Sequence, residues 1–266
     1  MTNIIEEKDW PEMARTLQRF LNCPCQYLPP MASTELVWQA YQGARERGQK
    51  EGFTPVLLTL EENLLEACLY NTLPDYNDYP NFDPAAVAAE RQKTLAQPLP
   101  DGASVLQAMQ ADWQACLEED GWSWEEIAGD GLADGEANDR FIGCLNYRTQ
   151  ETLPLLLVEI PTVNPWEVFA WVPFGGWNDC PSTEQHMAAA KRWFELYGAA
   201  PAMITMDTLE YILPKPAAAT AKAARPLAVE LYCFAPDTID QSAEGFTVGS
   251  LAETLSLSTV WYFWWD

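Results

Sequence analysis

Cys180 stands directly before Pro181-Ser182, at the predicted start of a helix that carries His186. A thiol at a helix N-terminus meets a favourable dipole and free N–H groups, which stabilise the thiolate. An imidazole one turn into that helix is the base such a nucleophile needs, provided the helix start bends back towards it. Asp179 works against this by placing a negative charge beside the sulfur. His186 is the only histidine in the chain, so a multi-histidine zinc site or a Ser-His-Asp triad is hard to assemble. The reading preferred on these residues is a structural one. Trp177, Asn178 and Pro181 shape a strand-to-helix turn, Cys180 is a small buried hydrophobe, and His186 is an ordinary packing or surface side chain.

The second chemical possibility is a set of carboxylates. Asp207, Glu210, Asp237, Asp240 with its neighbour Gln241, and Asp266 recur at the ends of predicted elements. Brought together they would hold a hard cation or divide acid and base roles. Asp207 and Asp237 serve equally well as caps of turns or helices. A further acidic block, residues 112–139, holds ten acids and no Lys or Arg, interleaved with Trp113, Trp122 and Trp124. A calcium loop wants alternating acids, a Gly and a distal Glu; Asp130, Asp134 and Gly135 match this only in part, so a solvated loop is expected. No P-loop, G-x-G-x-x-G after a strand, G-x-S-x-G or C-x-x-C occurs. No catalytic residue, metal site or cofactor is therefore assigned.

Positioning these residues requires an α+β fold. Apolar periodicity predicts helices over residues 11–21, 34–47 with Gly48 as the stop, 61–70 and 84–97, with one short strand over 54–60. The stretches 23–30 and 76–84 read as loops. From residue 153 the pattern changes. Residues 153–160 (LPLLLVEI) predict a strand covered on both faces, and 167–173 (EVFAWVP) a second strand. Residues 182–197 predict a helix with Ser182 and Gln185 as capping box and Gly198 as its stop. A strand over 203–213, bent near Asp207, follows. The helical stretch 217–234 is expected to kink or restart at Pro226, and a short helix over 248–255 comes next. The chain closes on a strand, 259–265. There Trp261, Phe263 and Trp265 share one face, and Val260, Tyr262 and Trp264 the other. Two faces of large side chains predict a central strand; if exposed, one of them would be a binding patch. The expected organisation is an acidic, helix-rich region over residues 1–150 and an α+β domain over 151–266, with a mixed sheet and packed helices.

The C-terminal string has further identity. Trp177-Asn178-Asp179-Cys180-Pro181 is followed by Trp193, Tyr197-Gly198-Ala199, Asp207-Thr208-Leu209-Glu210, Pro236-Asp237, Asp240-Gln241 and Val260-Trp261-Tyr262-Phe263-Trp264-Trp265-Asp266. Over roughly the last hundred residues this resembles a bacterial family, the domain of unknown function 4253. The family pattern places a Cys directly before Pro-Asp, where this chain has Ala235, with Cys233 two residues earlier. The resemblance implies a domain boundary and a lineage, and no reaction.

Composition bounds the partners. Lys plus Arg total 15 against 39 Asp plus Glu, a formal net charge of −24. Nucleic-acid and anionic-membrane binding are disfavoured, and a basic protein partner is attracted. Seven Cys without disulfide spacing, no apolar leader and no apolar run of bilayer length fit a cytoplasmic protein. The sequence thus points to a protein-binding module without catalysis, in its most concrete form an immunity-like inhibitor of a basic partner. It leaves the oligomeric state open. The alternative is an enzyme with a site built from Trp177, Asn178, Asp179 and Cys180 beside the carboxylates.

Overall fold

A computed structural model of the chain describes residues 5–73, 75, 79–128, 133–242 and 245–266. In chain order the first elements are α1 (Glu12–Leu21), β1 (Cys25–Leu28), α2 (Thr34–Glu51), β2 (Thr54–Thr59), α3 (Glu62–Thr72) and α4 (Pro84–Ala96). Next come α5 (Gly102–Glu119), α6 (Trp124–Ala128), β3 (Leu155–Ile160), α7 (Val168–Trp171) and α8 (Thr183–Tyr197). The chain ends with β4 (Ala200–Ile204), β5 (Thr208–Ile212), α9 (Ala221–Phe234), α10 (Asp237–Asp240), α11 (Val248–Leu257) and β6 (Val260–Trp264). Six strands form one mixed sheet in the order β1-β3-β2-β4-β5-β6. The fold is α+β, as the sequence predicts.

By contacts the chain divides into two compact units, interleaved in sequence. One comprises residues 1–98, 140–175 and 201–209, the other 99–139, 176–200 and 210–266. In the first, β3 pairs antiparallel with both β1 and β2, with Leu157 opposite Gln26 and Leu57, and β2 runs parallel to β4. Val56–Leu58 and Leu155–Val158 are buried along their whole length, which is why both runs read as nearly unbroken apolar sequence. Arg91 is buried there without a carboxylate. Its guanidinium donates to Phe20 O at 2.9 Å and Ala170 O at 3.3 Å, the last-turn carbonyls of α1 and α7, and lies over the Trp171 ring. Helix C-termini carry partial negative charge, so these carbonyls suit a cation; burial still lowers its proton affinity.

In the second unit, Trp193 of α8 is ringed by Tyr211, Phe234, Trp261 and Phe263 at centroid distances of 4.8–5.9 Å. Its indole N–H reaches Glu230 at 2.6 Å, so the polar atom of this buried ring is satisfied. The predicted capping box is present, and Gly198 ends α8 in the left-handed region at φ 70°.

Several expectations are corrected. Residues 25–28, read as loop, are a strand, because the antiparallel partner β3 supplies what four residues between prolines cannot show alone. Helix α2 runs through Gly48 to a left-handed Gly52; a Cβ at Gly48 would lie 2.4 Å from Phe53 O, so this glycine allows a close chain approach and is not the stop. The stretch 167–173 contains helix α7 instead of a strand: a short run buried on every side has no periodicity to reveal its type. Helix α5 occupies a stretch where none was expected. Helix α9 does not restart at Pro226 but continues through it as one element. β6 lies at the sheet edge and not at its centre. Its two faces differ: Trp261, Phe263 and Trp265 are buried, whereas Tyr262 and Trp264 are half-buried. The calcium-loop reading falls partly on residues 129–132, and the loop reading of 76–84 partly on 76–78, both outside the described residues.

Candidate functional site

The turn leading into α8 is built by the backbone. Gly176 N–H donates to both Cys180 O and Pro181 O, at 3.1 and 3.0 Å, and Cys180 N–H to Trp177 O at 2.9 Å. Asn178 adopts φ 44°, which an Asn tolerates better than most side chains. This turn puts Cys180 Sγ 3.7 Å from His186 Nε2, so the helix start does bend back to bring the pair together. Both groups are, however, buried among aromatics, His186 lying edge-on to Phe234 and Trp265. Burial pulls the imidazole down to about 3 and pushes the thiol above its ordinary value. Burial thus favours the neutral forms of both groups over a thiolate–imidazolium pair.

The carboxylates separate into three places. Asp237, Asp240 and Asp266 gather at the C-terminal end of the second unit. Asn178 Nδ2 donates to Asp266 O at 2.5 Å, and Asp266 N–H donates to Asp237 Oδ2 at 2.9 Å. Gln241 Nε2 donates to Asp237 Oδ1 at 2.9 Å. Both carboxylate oxygens of Asp237 therefore hold chain segments together. Tyr232 donates its hydroxyl to Asp240 at 3.1 Å. Asp240 is raised above the usual carboxylate range, first by partial burial and then by the charge of Asp237, with the Tyr232 bond opposing. Asp207 sits apart, in the β4–β5 turn of the first unit, where its Oδ1 accepts from Thr205 and Thr208 at 2.9 and 3.1 Å. That is turn-forming use of an Asp. Glu210 is fully buried on β5. Among the described residues no group of three or more His, Cys, Asp or Glu side chains could hold a metal ion.

Of the remaining candidates, Trp177 is half-buried, Asp179 is exposed, Trp261 belongs to the buried aromatic cluster, and Trp264 is fixed by its backbone. Thr238, which sequence reasoning passed over, accepts from Trp264 N–H at 2.8 Å and donates to Trp264 O at 3.3 Å through one hydroxyl. At the other end of β6, Asn138 O accepts both Thr259 and Val260 N–H. Nothing in a lone Thr or Asn marks such a role in advance.

One surface has a different character. Trp122, beyond the end of α5, is 61% exposed, the single exposed tryptophan among the described residues. Glu118, Glu119, Asp120, Glu125 and Glu126 are exposed on the same short stretch. α5 ends at Glu119 with Asp120 as its C-cap, and Gly121 at φ 85° turns the chain so that Trp122 follows at once. Other exposed apolar side chains of the second unit, Leu196 and Leu257, have no such collar of acids beside them in sequence.

Residues 156–266 match the family model described as Domain of unknown function (DUF4253). No curated protein and no solved structure matches the chain. No helix of the described residues is long and apolar enough to cross a membrane.

Proposed function

We propose that this protein is a non-catalytic binding module for a basic protein partner, docking through Trp122 and its acidic collar. The observation that carries the reading is the exposure of this one indole within a stretch holding five exposed carboxylates. Interface anchors are enriched in Trp, and clustered acids steer and orient a cationic surface. The net charge of −24 adds a long-range attraction for such a partner. The neutral, buried state of Cys180 and His186 favours binding over nucleophilic catalysis. The most specific form of this role is immunity-like inhibition of a cationic enzyme such as a nuclease.

A labelled peptide alternating Arg and Leu serves as the probe, titrated at 50 and 300 mM NaCl. Binding is expected at the lower salt, weakened about tenfold or more by Trp122→Ala. The triple change Glu118→Gln, Glu119→Gln, Glu125→Gln is expected to weaken it as much. An equal neutralisation elsewhere, Glu51→Gln, Glu62→Gln, Glu66→Gln, removes the same charge from other exposed positions. If both triple variants lose affinity equally, or Trp122→Ala changes nothing, attraction is diffuse and the assigned site is wrong.

A further inference from the structure

Arg15 and Arg19 stand one turn apart on α1 and therefore share a face of the helix. With Glu7, Gln18, Asn22 and Cys23 they line a cleft of about 520 Å³ in the first unit. Both guanidiniums are held in place by the chain. Arg15 donates through Nη1 to Trp10 O. Arg19 donates through Nη2 to Pro80 O at 2.9 Å and lies over the Phe82 ring, 4.5 Å from its centroid. A carbonyl takes one N–H of each fork and none of its charge, so the rest of the fork stays available to an anion.

Composition makes this wall unusual. Acids outnumber bases by 39 to 15, yet among the described residues neither Arg15 nor Arg19 forms an ion pair. Glu7 belongs to the same wall and pairs with neither of them. The cleft thus presents two cations and one anion that do not neutralise each other, with the amides of Gln18 and Asn22 beside them. An apolar occupant would strip water from all of these groups without replacing its hydrogen bonds. A carboxylate instead meets a planar fork that takes it through two parallel bonds, and an ammonium meets Glu7. The volume falls within the range of roughly 300–1,000 Å³ common for sites of small molecules.

We infer that this cleft binds a small zwitterion of about dipeptide size with two carboxylates and one ammonium. The carboxylates take Arg15 and Arg19, and the ammonium takes Glu7. Such a ligand is a net anion approaching a chain of net charge −24, so only local contacts favour it; diffuse attraction does not. The cleft lies in the first unit and Trp122 in the second, so this binding adds to the docking of a basic partner and does not depend on it.

Three dipeptides serve as matched probes. Alanylglutamate has the full set of charges, N-acetyl-alanylglutamate lacks the ammonium, and alanylglutamine lacks one carboxylate. Each is titrated into the full ¹⁵N-labelled chain at pH 6.5, where the peptide ammonium is charged, while the assigned Nε–H signals of Arg15 and Arg19 are followed. Alanylglutamate is expected to shift both signals saturably and to bind about tenfold tighter than either of the others. Arg15→Gln and Arg19→Gln are each expected to weaken it about tenfold. Gln18→Glu places a carboxylate in the same wall without touching either tether; it is expected to weaken binding as much, and serves if an arginine variant fails to fold. Glu7→Gln should abolish the advantage of alanylglutamate over its acetylated form. Arg148→Gln and Lys222→Gln, changes at exposed cations elsewhere, and Trp122→Ala should leave binding unchanged. The inference is overturned by unmoved Arg15 and Arg19 signals, by equal affinity for the three dipeptides, or by undiminished binding in a folded wall variant.

Discussion

At the scale of single residues, Cys180 and His186 show how environment decides chemistry. The spacing that suggests a nucleophile and base does bring them to 3.7 Å, yet the same burial that fixes the distance removes their charges. Native alkylation with iodoacetamide at pH 8 should therefore modify exposed Cys116 well before buried Cys180, with mass spectrometry reading the order. His186 also imposes a pH dependence. An unfolded imidazole protonates near 6.5, whereas burial holds the folded one neutral down to about 3. Below pH 6.5 the unfolded chain binds one more proton, so this contribution is complete above 6.5 and is lost on acidification towards 3. The loss is at most about 1.4 kcal/mol per pH unit. Urea unfolding of the parent and His186→Gln at pH 7 and pH 5 should show a steeper decline in the parent; equal declines would mean that the ring is not held neutral. The sequence placed this pair correctly beside a turn and a capping box. It could not display the rings of Phe234 and Trp265, which come from 48 and 79 positions further on and enclose the imidazole.

At the scale of elements, legibility followed self-sufficiency. Helix α8 was readable because its cap, apolar stripe and stop lie within its own residues. β1 and α7 were not, since each is four residues long and owes its form to neighbours distant in sequence. The sheet edge is a further case. β6 presents a ladder side that another chain would otherwise extend, and Thr238 and Asn138 occupy its two ends. Thr238→Val removes two hydrogen bonds at similar volume and is expected to cost about 1–2 kcal/mol in urea unfolding, with more light scattering on storage. The loop ahead of Asn138 is tied down by Gly135, where a Cβ would lie 2.4 Å from Ser250 O. Gly135→Ala should destabilise the chain by about 1–3 kcal/mol, whereas Gly121→Ala carries only the strain of its backbone angle because the space around it is open. Gly135 was the partial calcium-loop match; its structural use is a close approach to α11.

For the whole molecule, the family boundary and the compact units do not coincide. The matched stretch begins at residue 156, but the second unit also contains α5, which packs on α8 and α9. The approach is close: a Cβ at Gly102 would meet Ala188 O at 2.4 Å. A fragment of residues 151–266 should accordingly lack a cooperative thermal transition and bind a hydrophobic dye, whereas the full chain melts sharply. A cooperative fragment would show α5 to be dispensable. The charge acts at the same scale. With a net charge of −24, self-repulsion opposes folding, so raising NaCl from 20 to 300 mM is expected to increase the melting temperature while weakening the Trp122 probe complex. Composition made the sign of that field plain; only coordinates showed which of twelve tryptophans stands within it.

The unequal shielding of the indoles has an optical consequence. Trp122 is the one exposed indole among the described residues, so the red edge of the emission spectrum should come mainly from it. Its carboxylate surroundings concentrate cations, so caesium should quench that red component strongly where iodide, an anion of similar quenching power, does so weakly. The chain thereby carries a native reporter at the very spot where a partner would land, and the ratio of the two quenchers measures the local potential without a label.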